Sequence, residues 1–200
     1  MKRVLLIGSG GAGKSTLARK MSKQLNITAF HLDKLLWKPN WQMTPKPEQA
    51  IIVNNLVRQD SWIIDGNYNG TLDIRVAAAD TIVFLDRSRF VCIYQVFKRL
   101  LQYRGTSRPD MQDDCPEKID WDFLKWIWQF PNKQKVIIMN MFETIDQSKN
   151  IVILKNKKQI EKFFGSIISF TKNVQIYVIK TNVESGRSNN PSYFRKNAIR

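Results

Sequence analysis

The sequence predicts an α/β protein in which one parallel β-sheet is covered by helices on both faces. Short apolar segments typical of strands alternate with longer segments in which apolar residues have helical spacing. The apolar residues of these strands are consecutive, a pattern typical of a sheet that is buried on both sides. The 200 residues, 43% hydrophobic and 24% charged, fit the size and composition of one globular domain.

Five apolar segments predict five strands. The first is apolar throughout and stops at Gly8, whereas the third and the fourth lead directly into Asp65 and Asp86. In chain order the predicted strands are Val4–Ile7, Thr28–Leu32, Trp62–Ile64, Thr81–Leu85 and Ile151–Leu154. Helical segments separate most of them, and parallel strands need such crossovers, so the sheet is expected to be parallel.

Helical spacing predicts the connecting helices. Leu17, Met21 and Leu25 recur at steps of four in the first of them. Pro45 and Pro47 stand where prolines are tolerated, in the opening turn of the next. The predicted helices cover about Ser15–Leu25, Pro45–Gln59, Ser88–Tyr103, Trp121–Phe130 and Lys157–Phe164.

This alternation ends near residue 165, which predicts a domain of residues 1–165 and a C-terminal extension of residues 166–200. Residues 174–178 alternate like a strand, but residues 185–192 are rich in Ser, Asn and Gly, which is typical of a loop or a disordered segment. Within the domain, the polar residues 104–120 are expected to form a mobile lid.

The charge of the chain is strongly positive and unevenly distributed. Lys and Arg number 32 against 17 Asp and Glu, a net charge of +15, and residues 151–200 contribute 10 basic and 2 acidic side chains. Such an excess attracts polyanions, among them nucleic acid, nucleotides and anionic lipid. The basic character is therefore largely a property of the C-terminal quarter.

The cysteines and the hydropathy indicate a cytoplasmic protein with no membrane partner. Cys92 and Cys115 are too few for a disulfide framework and lack the spacing of a metal site. The apolar segment after the N-terminal Met-Lys-Arg is shorter than a signal peptide requires, and no segment reaches the roughly 20 apolar residues of a membrane span.

A phosphate-binding loop (P-loop) follows the first strand. Residues 8–15 match G-x-x-x-x-G-K-[ST] in full, between an apolar strand and an amphipathic helix. Glycines let main-chain N–H groups point at a phosphate chain, and the N-terminus of the helix adds its unpaired N–H groups. The nucleotide-binding residues predicted here are Gly8, Ser9, Gly10, Gly11, Ala12, Gly13, Lys14, Ser15 and Thr16.

Within this loop, three residues have separate predicted tasks. Lys14 is a catalytic candidate because its ammonium reaches the β- and γ-phosphates, the Ser15 hydroxyl can bind Mg²⁺, and Thr16 is placed for the α-phosphate. The loop therefore predicts a nucleoside triphosphate site.

Among P-loop proteins, a kinase fits best. A GTPase needs Asn-Lys-x-Asp for guanine, and the corresponding candidate, Asn156-Lys157-Lys158-Gln159, lacks the acid. Assembly ATPases are usually larger. The expected ligands are thus ATP and Mg²⁺, together with an acceptor that the residues do not identify.

Carboxylates at strand ends are the candidates for metal and acceptor chemistry, since ligands of parallel sheets bind at the carboxyl ends of strands. Asp65 is the favoured magnesium ligand and Asp86 the alternative. Asp33 is the catalytic candidate that accepts the proton of an attacking hydroxyl or holds a metal-bound water. His31 is expected to be packed or hydrogen-bonded rather than catalytic.

Arginines near the lid are candidates to stabilise charge on the transferred phosphoryl group. Arg108 is assigned a catalytic role and Arg104 a nucleotide-binding one, whereas Arg99 ends a helix, where a cation is favourable in any case.

Tryptophans cluster in two segments. Trp121, Trp126 and Trp128 are expected to belong to the core or to a lid hinge rather than to stack on bases. Trp37 and Trp41 follow Asp33 and are candidates to line the acceptor pocket.

Together these motifs resemble the DNA topology modulation protein family (FlaR type), which belongs to the P-loop kinases related to adenylate kinase and shikimate kinase. The resemblance covers about residues 1–165. Its motifs are Phe30-His31-Leu32-Asp33, Trp37-Lys38-Pro39, Trp62-Ile63-Ile64-Asp65-Gly66-Asn67-Tyr68, Ala79-Asp80-Thr81-Ile82, Arg108-Pro109-Asp110-Met111 and Cys115-Pro116-Glu117. It implies a three-layer P-loop NTPase fold of the adenylate/shikimate kinase type, with a five-stranded parallel sheet and a lid.

The resemblance also implies roles for single residues. Asp65 is similar to the magnesium-serving Asp of the adenylate kinase Asp-Gly-Phe-Pro-Arg turn, although the Pro-Arg is absent here. Arg108 resembles the lid arginine of shikimate kinase, Asp33 its acceptor-binding Asp, and Arg75 an acceptor-side arginine.

Two functions remain as hypotheses. The first is an ATP-dependent small-molecule or nucleotide kinase of unknown acceptor. The alternative is a DNA-associated regulator that uses ATP binding as a switch and binds DNA non-specifically through basic residues, since no sequence-specific DNA-binding motif is present.

Overall fold

The computed structural model describes residues 1–118, 120–146 and 148–171, and its centre is a five-stranded parallel sheet with helices on both faces. The sheet strands are β1 (Arg3–Gly8), β2 (Ala29–His31), β5 (Trp62–Asp65), β6 (Thr81–Leu85) and β7 (Asn150–Leu154). Their spatial order is β2-β5-β1-β6-β7. The predicted α/β class and the five-stranded parallel sheet are confirmed.

The helices connect and flank these strands. They are α1 (Lys14–Leu25), α2 (Leu32–Leu36), α3 (Lys46–Val57), α4 (Leu72–Ala78), α5 (Arg89–Gln102), α6 (Trp121–Gln129), α7 (Gln134–Thr144) and α8 (residues 157–171). Two short strands, β3 (Trp37–Lys38) and β4 (Gln42–Met43), pair as an antiparallel hairpin. None of the helices in the described ranges is long and apolar enough to cross a membrane.

Alternate residues of β1 enter two separate cores, one on each face of the sheet. Leu5 and Ile7 pack with residues of α3, α4 and α7, whereas Val4 and Leu6 pack with residues of α1, α5, α6 and α8. All four side chains are completely buried. Successive side chains of a strand point to opposite faces, so burial on both faces explains why all four residues from Val4 to Ile7 are apolar.

Three helices were not predicted, and each has a local reason. Helices α2 and α4 have five and seven residues, too few to show a helical period. Helix α7 leaves Val136 and Ile137 exposed while burying Ile138, so its apolar residues do not mark one face. Because α2 begins at Leu32, strand β2 ends one residue earlier than predicted.

The last helix extends beyond the predicted domain boundary at residue 165. Helix α8 continues to residue 171, and Ile167 is only 5% exposed in the core beside α1 and α5. Residues 166–171 therefore belong to the helix instead of to an extension. The predicted strand at 174–178 and the loop at 185–192 lie outside the described residues.

Candidate active site

The P-loop joins β1 to α1 at the carboxyl edge of the sheet. Gly11 and Gly13 have φ angles of 74° and 98°, which other residues rarely adopt. A Cβ atom on Gly11 would also collide with the main-chain carbonyl of Cys92 in α5. Glycine is thus required at Gly11 by both its conformation and its neighbour.

The ammonium of Lys14 lies over the P-loop. Its Nζ donates to the carbonyl oxygens of Gly8 and Ser9 at 2.8 and 2.9 Å. Burial lowers the pKa of Lys14, while the negative charges of Asp65 and Asp33 oppose that shift. The negative charges of Asp65 and Asp33 thus favour the protonated form of Lys14.

Two further features of the P-loop fit a phosphate chain. The Ser9 hydroxyl is buried and has no hydrogen-bond partner among the described residues, which is unusual for a polar atom in a folded protein. Ser15 stands in the first turn of α1, where main-chain N–H groups have no partners within the helix. Thr16 is exposed beside it.

Asp65 ends β5, directly beside the P-loop strand. The register pairs it with Leu6, and it is 3% exposed. Its Oδ1 lies 2.7 Å from Nδ1 of His31 at the end of β2. Burial disfavours the charged imidazole, but the hydrogen bond and the charge of Asp65 prevail and raise the pKa of His31.

Asp86 follows β6, the strand on the other side of β1. Its Oδ2 accepts a hydrogen bond from Nζ of Lys135 in α7 at 2.7 Å. The sheet thus has a carboxylate on each side of the P-loop strand, and the choice of Asp65 as magnesium ligand stays a prediction.

Asp33 lies in the first turn of α2 rather than at the end of the preceding strand. Its Oδ1 accepts from the hydroxyl of Tyr68 at 2.9 Å, and its Oδ2 accepts from Arg108 at 2.5 Å. Burial and the negative charge of Asp33 raise the pKa of Tyr68, so this phenol remains protonated and donates. The carboxylate of Asp33 is nevertheless 39% exposed.

Residues 104–118 lie against the site through Arg108, which is only 8% exposed. Besides Asp33, its guanidinium contacts Glu117 at 3.0 Å and Asp110 at 3.3 Å. Burial alone would lower the pKa of Arg108, but these three carboxylates raise it. The predicted lid arginine is therefore brought to the acceptor candidate and held among carboxylates.

Two more arginines complete this charged network. Arg19 of α1 contacts Asp110 at 2.6 Å, and Arg99 of α5 contacts Glu117 at 3.0 Å. Arg104 is exposed and, within the described residues, pairs only through its main chain, with Glu117. Its assigned role as a nucleotide ligand stays a prediction, whereas Arg99 reaches the network through Glu117.

Arg75 is completely buried and does not face an acceptor site. Its guanidinium donates to the carbonyl oxygens of Thr71, Gly66 and Tyr68 at 3.1, 2.6 and 2.7 Å. Burial lowers its pKa to about 10. The expected acceptor-side arginine is therefore a structural residue that fixes the turn after β5, because main-chain carbonyls occupy its donors.

Sequence reasoning assigned no role to Asn67, which the structure places on the P-loop. Its Oδ1 accepts from the Gly8 N–H at 3.0 Å, and its Nδ2 donates to the Gly8 carbonyl at 2.7 Å. The available signal was its position two residues after Asp65 at a strand end. Asp110 was likewise overlooked, although it directly follows Arg108-Pro109.

The tryptophans divide differently from the prediction. Trp126 packs against Phe123 and Phe130 as part of the core, but Trp121 and Trp128 are 79% and 47% exposed. Trp37 and Trp41 contact each other edge to face, with ring centroids 5.4 Å apart. They lie in and beside the β3–β4 hairpin that follows Asp33.

Comparison with solved structures shows a P-loop kinase-like fold of the shikimate kinase type. Shikimate kinase from Bacteroides thetaiotaomicron superposes with a TM-score of 0.52 and 17% identity, over 86% of this chain and 98% of that chain. Shikimate kinase from Acinetobacter baumannii, in complex with shikimate, superposes with a TM-score of 0.52 and 10% identity, over 90% of this chain and 94% of that chain. No family model matches the sequence, and no curated protein matches it.

Proposed function

We propose that the protein is an ATP-dependent kinase that transfers the γ-phosphoryl group to a small acceptor molecule. The observation that supports this most is a chain of hydrogen bonds that links the P-loop to an arginine-paired carboxylate. Lys14 and Asn67 both bond the Gly8 carbonyl, the adjacent Tyr68 bonds Asp33, and Asp33 pairs with Arg108. A phosphoryl transfer needs fixed positive charge for the phosphates and a group that orients the acceptor, and this arrangement offers both.

The triphosphate of ATP would bind along the P-loop. The main-chain N–H groups of residues 8–13 and the start of α1 suit anionic oxygens, and the unpartnered Ser9 hydroxyl is a further donor. Lys14 would leave the two carbonyls that it contacts and bind the β- and γ-phosphates. Arg104, which is exposed in residues 104–118, would contact the nucleotide from the lid.

Ser15 and Asp65 are the residues that would hold Mg²⁺. A hydroxyl and a carboxylate are hard oxygen ligands of the kind that this ion prefers. When bound, the ion neutralises negative charge on the phosphates.

Asp33 would bind the acceptor, because its carboxylate is partly accessible and is oriented by Tyr68 and Arg108. In the transfer, an acceptor hydroxyl oxygen forms a bond to the γ-phosphorus while the bond to the β–γ bridging oxygen breaks and ADP leaves. The hydroxyl proton passes to Asp33 or to water, and Arg108 stabilises charge on the phosphoryl oxygens.

Removal of the P-loop cation tests this proposal. Lys14→Ala should weaken ATP binding by about 100-fold, since hydrogen bonds to charged groups contribute roughly 1.5–3 kcal/mol each. Lys23→Ala removes an exposed lysine of the same helix and should leave the affinity unchanged. Isothermal titration gives both affinities, and wild-type affinity in Lys14→Ala would refute the proposal.

A screen of metabolites for stimulated ADP release would then identify the acceptor. The sequence motifs further support membership of the DNA topology modulation group of P-loop kinases, since Asp65-Gly66-Asn67-Tyr68 and Arg108-Pro109-Asp110-Met111 both contribute to the site. We include a cytoplasmic location in the proposal, which the free thiols of Cys92 and Cys115 support.

The DNA-associated alternative rests on the net charge of +15. A salt series of DNA binding, with the whole chain and with a chain lacking residues 172–200, tests it. Contact with several phosphates predicts a steep loss of affinity with rising salt. If DNA binding is absent or does not depend on salt, the alternative is excluded and the kinase is the one function that stands.

A further inference from the structure

The first glycine of the P-loop is held by a side chain from the neighbouring strand end. The amide of Asn67 bonds both polar main-chain groups of Gly8, accepting from its N–H at 3.0 Å and donating to its carbonyl at 2.7 Å. An asparagine side chain can do both, because its carbonyl oxygen accepts a hydrogen bond and its NH₂ group donates one. Asn67 therefore fixes the point at which β1 becomes the P-loop.

The same carbonyl also accepts from Lys14, at 2.8 Å. Lys14 bonds a second carbonyl, that of Ser9, at 2.9 Å. Each of these two oxygens has another donor, because Asn67 Nδ2 bonds Gly8 and the main-chain N–H of Ala12 bonds Ser9 at 3.2 Å. Departure of Lys14 would leave neither carbonyl without a hydrogen bond.

We propose that Asn67 is a positioning residue that allows Lys14 to exchange main-chain carbonyls for the phosphates of a nucleotide. The inference rests on the proposed function. With Asn67 present, the Gly8 carbonyl stays satisfied while the ammonium moves. Without Asn67, that part-buried carbonyl would depend on Lys14 and would lose its donor when the phosphates bind.

Asn67 is held ready for this task by Arg75. The buried guanidinium bonds the carbonyls of Gly66 and Tyr68, the residues on either side of Asn67. The turn therefore has little freedom, and ordering the amide adds little entropic cost when a ligand binds. Arg75 and Asn67 thus act together, since Arg75 fixes the turn after β5 and Asn67 holds Gly8 from that turn.

Inorganic triphosphate is the probe that isolates the P-loop, since it lacks a base and a sugar. In the full chain, Asn67→Ala should weaken triphosphate binding about tenfold, the effect of one lost hydrogen bond. Asn67→Leu restores volume without hydrogen bonding and should show the same loss. Asn69→Ala removes an exposed asparagine bonded to Gln134 and should bind like the wild type.

A fourth variant separates positioning from simple support of the fold. Asn67→Asp keeps an acceptor for the Gly8 N–H but loses the donor and adds negative charge, so it should bind triphosphate more weakly than Asn67→Ala does. The ¹⁵N–¹H signal of Gly8 should shift in the Ala and Leu variants and stay close to its wild-type position in Asn67→Asp. A structural role alone would weaken triphosphate binding in the Asp variant only through its added charge. Its affinity relative to the wild type would then recover as rising salt screens that charge, whereas the effect of the lost donor persists at high salt.

The outcomes distinguish this inference from the proposed function. Wild-type protein that binds neither ATP nor triphosphate would overturn both. Tight wild-type binding with undiminished affinity in Asn67→Leu and Asn67→Asp would overturn the role of Asn67 alone. If Asn67→Ala does not fold, Asn67→Asp decides, because it keeps the bond from the Gly8 N–H.

Discussion

The two strands that flank β1 end in the same way and lead to different environments. Strands β5 and β6 are both buried, both pair with β1, and both are followed or ended by an aspartate. Asp65 is bonded to His31 at the end of β2, whereas Asp86 is bonded to Lys135 of α7. An aspartate at the end of a buried strand beside β1 is therefore not enough to predict which side chains its carboxylate will contact.

The chain that follows each strand explains the difference. After β5, Asn67 reaches Gly8 and Tyr68 reaches Asp33, so this side of β1 is joined to the P-loop and to α2. After β6, the carboxylate of Asp86 is neutralised by a lysine that arrives from a later helix. The proposed kinase function therefore places the chemistry on the β5 side of β1 and gives Asp86, on the β6 side, a supporting role in the fold.

The largest expected effect comes from exchanging the two carboxylates for amides in turn. Asp65→Asn should lower ATP turnover by about 100- to 1,000-fold, the range seen when one charge-stabilising group is removed from an active site. Asp86→Asn should change turnover by less than about fivefold. Steady-state ADP release measures both, and a larger loss in Asp86→Asn would reverse the comparison.

Arg108 provides the next test, because its ion pairs are buried on the β5 side. Arg108→Ala should lower the free energy of unfolding by about 3 kcal/mol, since it leaves buried charges on Glu117 and Asp110 without this partner. Denaturant unfolding at neutral pH measures the change. A loss below about 1 kcal/mol would indicate that water screens the network.

His31 reports directly on Asp65, and it is the one histidine in the sequence. Its pKa is raised above 6.5 against the effect of burial, through the hydrogen bond and charge of Asp65. The stability that this pair contributes is therefore complete below the unfolded-state pKa and disappears as pH rises through the higher folded-state value. Titration of the ring by NMR should show the raised pKa in the wild type.

The matching variants complete that measurement. In Asp65→Asn the pKa of His31 should fall, because burial then acts with less opposition, while in Asp86→Asn it should stay at the wild-type value. If the pKa of His31 is the same in the wild type and in both variants, the pairing of His31 with Asp65 is contradicted.

The smallest expected effect belongs to Lys135→Ala on the β6 side. The side chain of Lys135 is 36% exposed, so its bond to Asp86 should contribute only about 0.2–1 kcal/mol to the free energy of unfolding. ATP binding should not change. A large loss of nucleotide affinity would place Asp86 in the functional site.

Much of the fold and the start of the site could be predicted because the signals are local. The consecutive apolar residues Val4–Ile7 and Ile82–Leu85, and the glycines that permit the turn into α1, act within a few residues of one another. Helices α2 and α4 were missed because five and seven residues are too few to show a helical period. Arg75 was misassigned because nothing near it in sequence reveals that main-chain carbonyls surround its guanidinium.

The P-loop and the succession of strands follow from the order of residues, since backbone conformation and the burial of apolar runs depend on near neighbours. The partners of the charged and amide side chains do not, because Asp65 meets His31, Asn67 meets Gly8 and Asp86 meets Lys135 across 34 to 59 residues of chain. Such pairings depend on which strands lie side by side and which helix covers them. Packing of the whole sheet therefore decided that Asp65 pairs with His31 and Asp86 with Lys135.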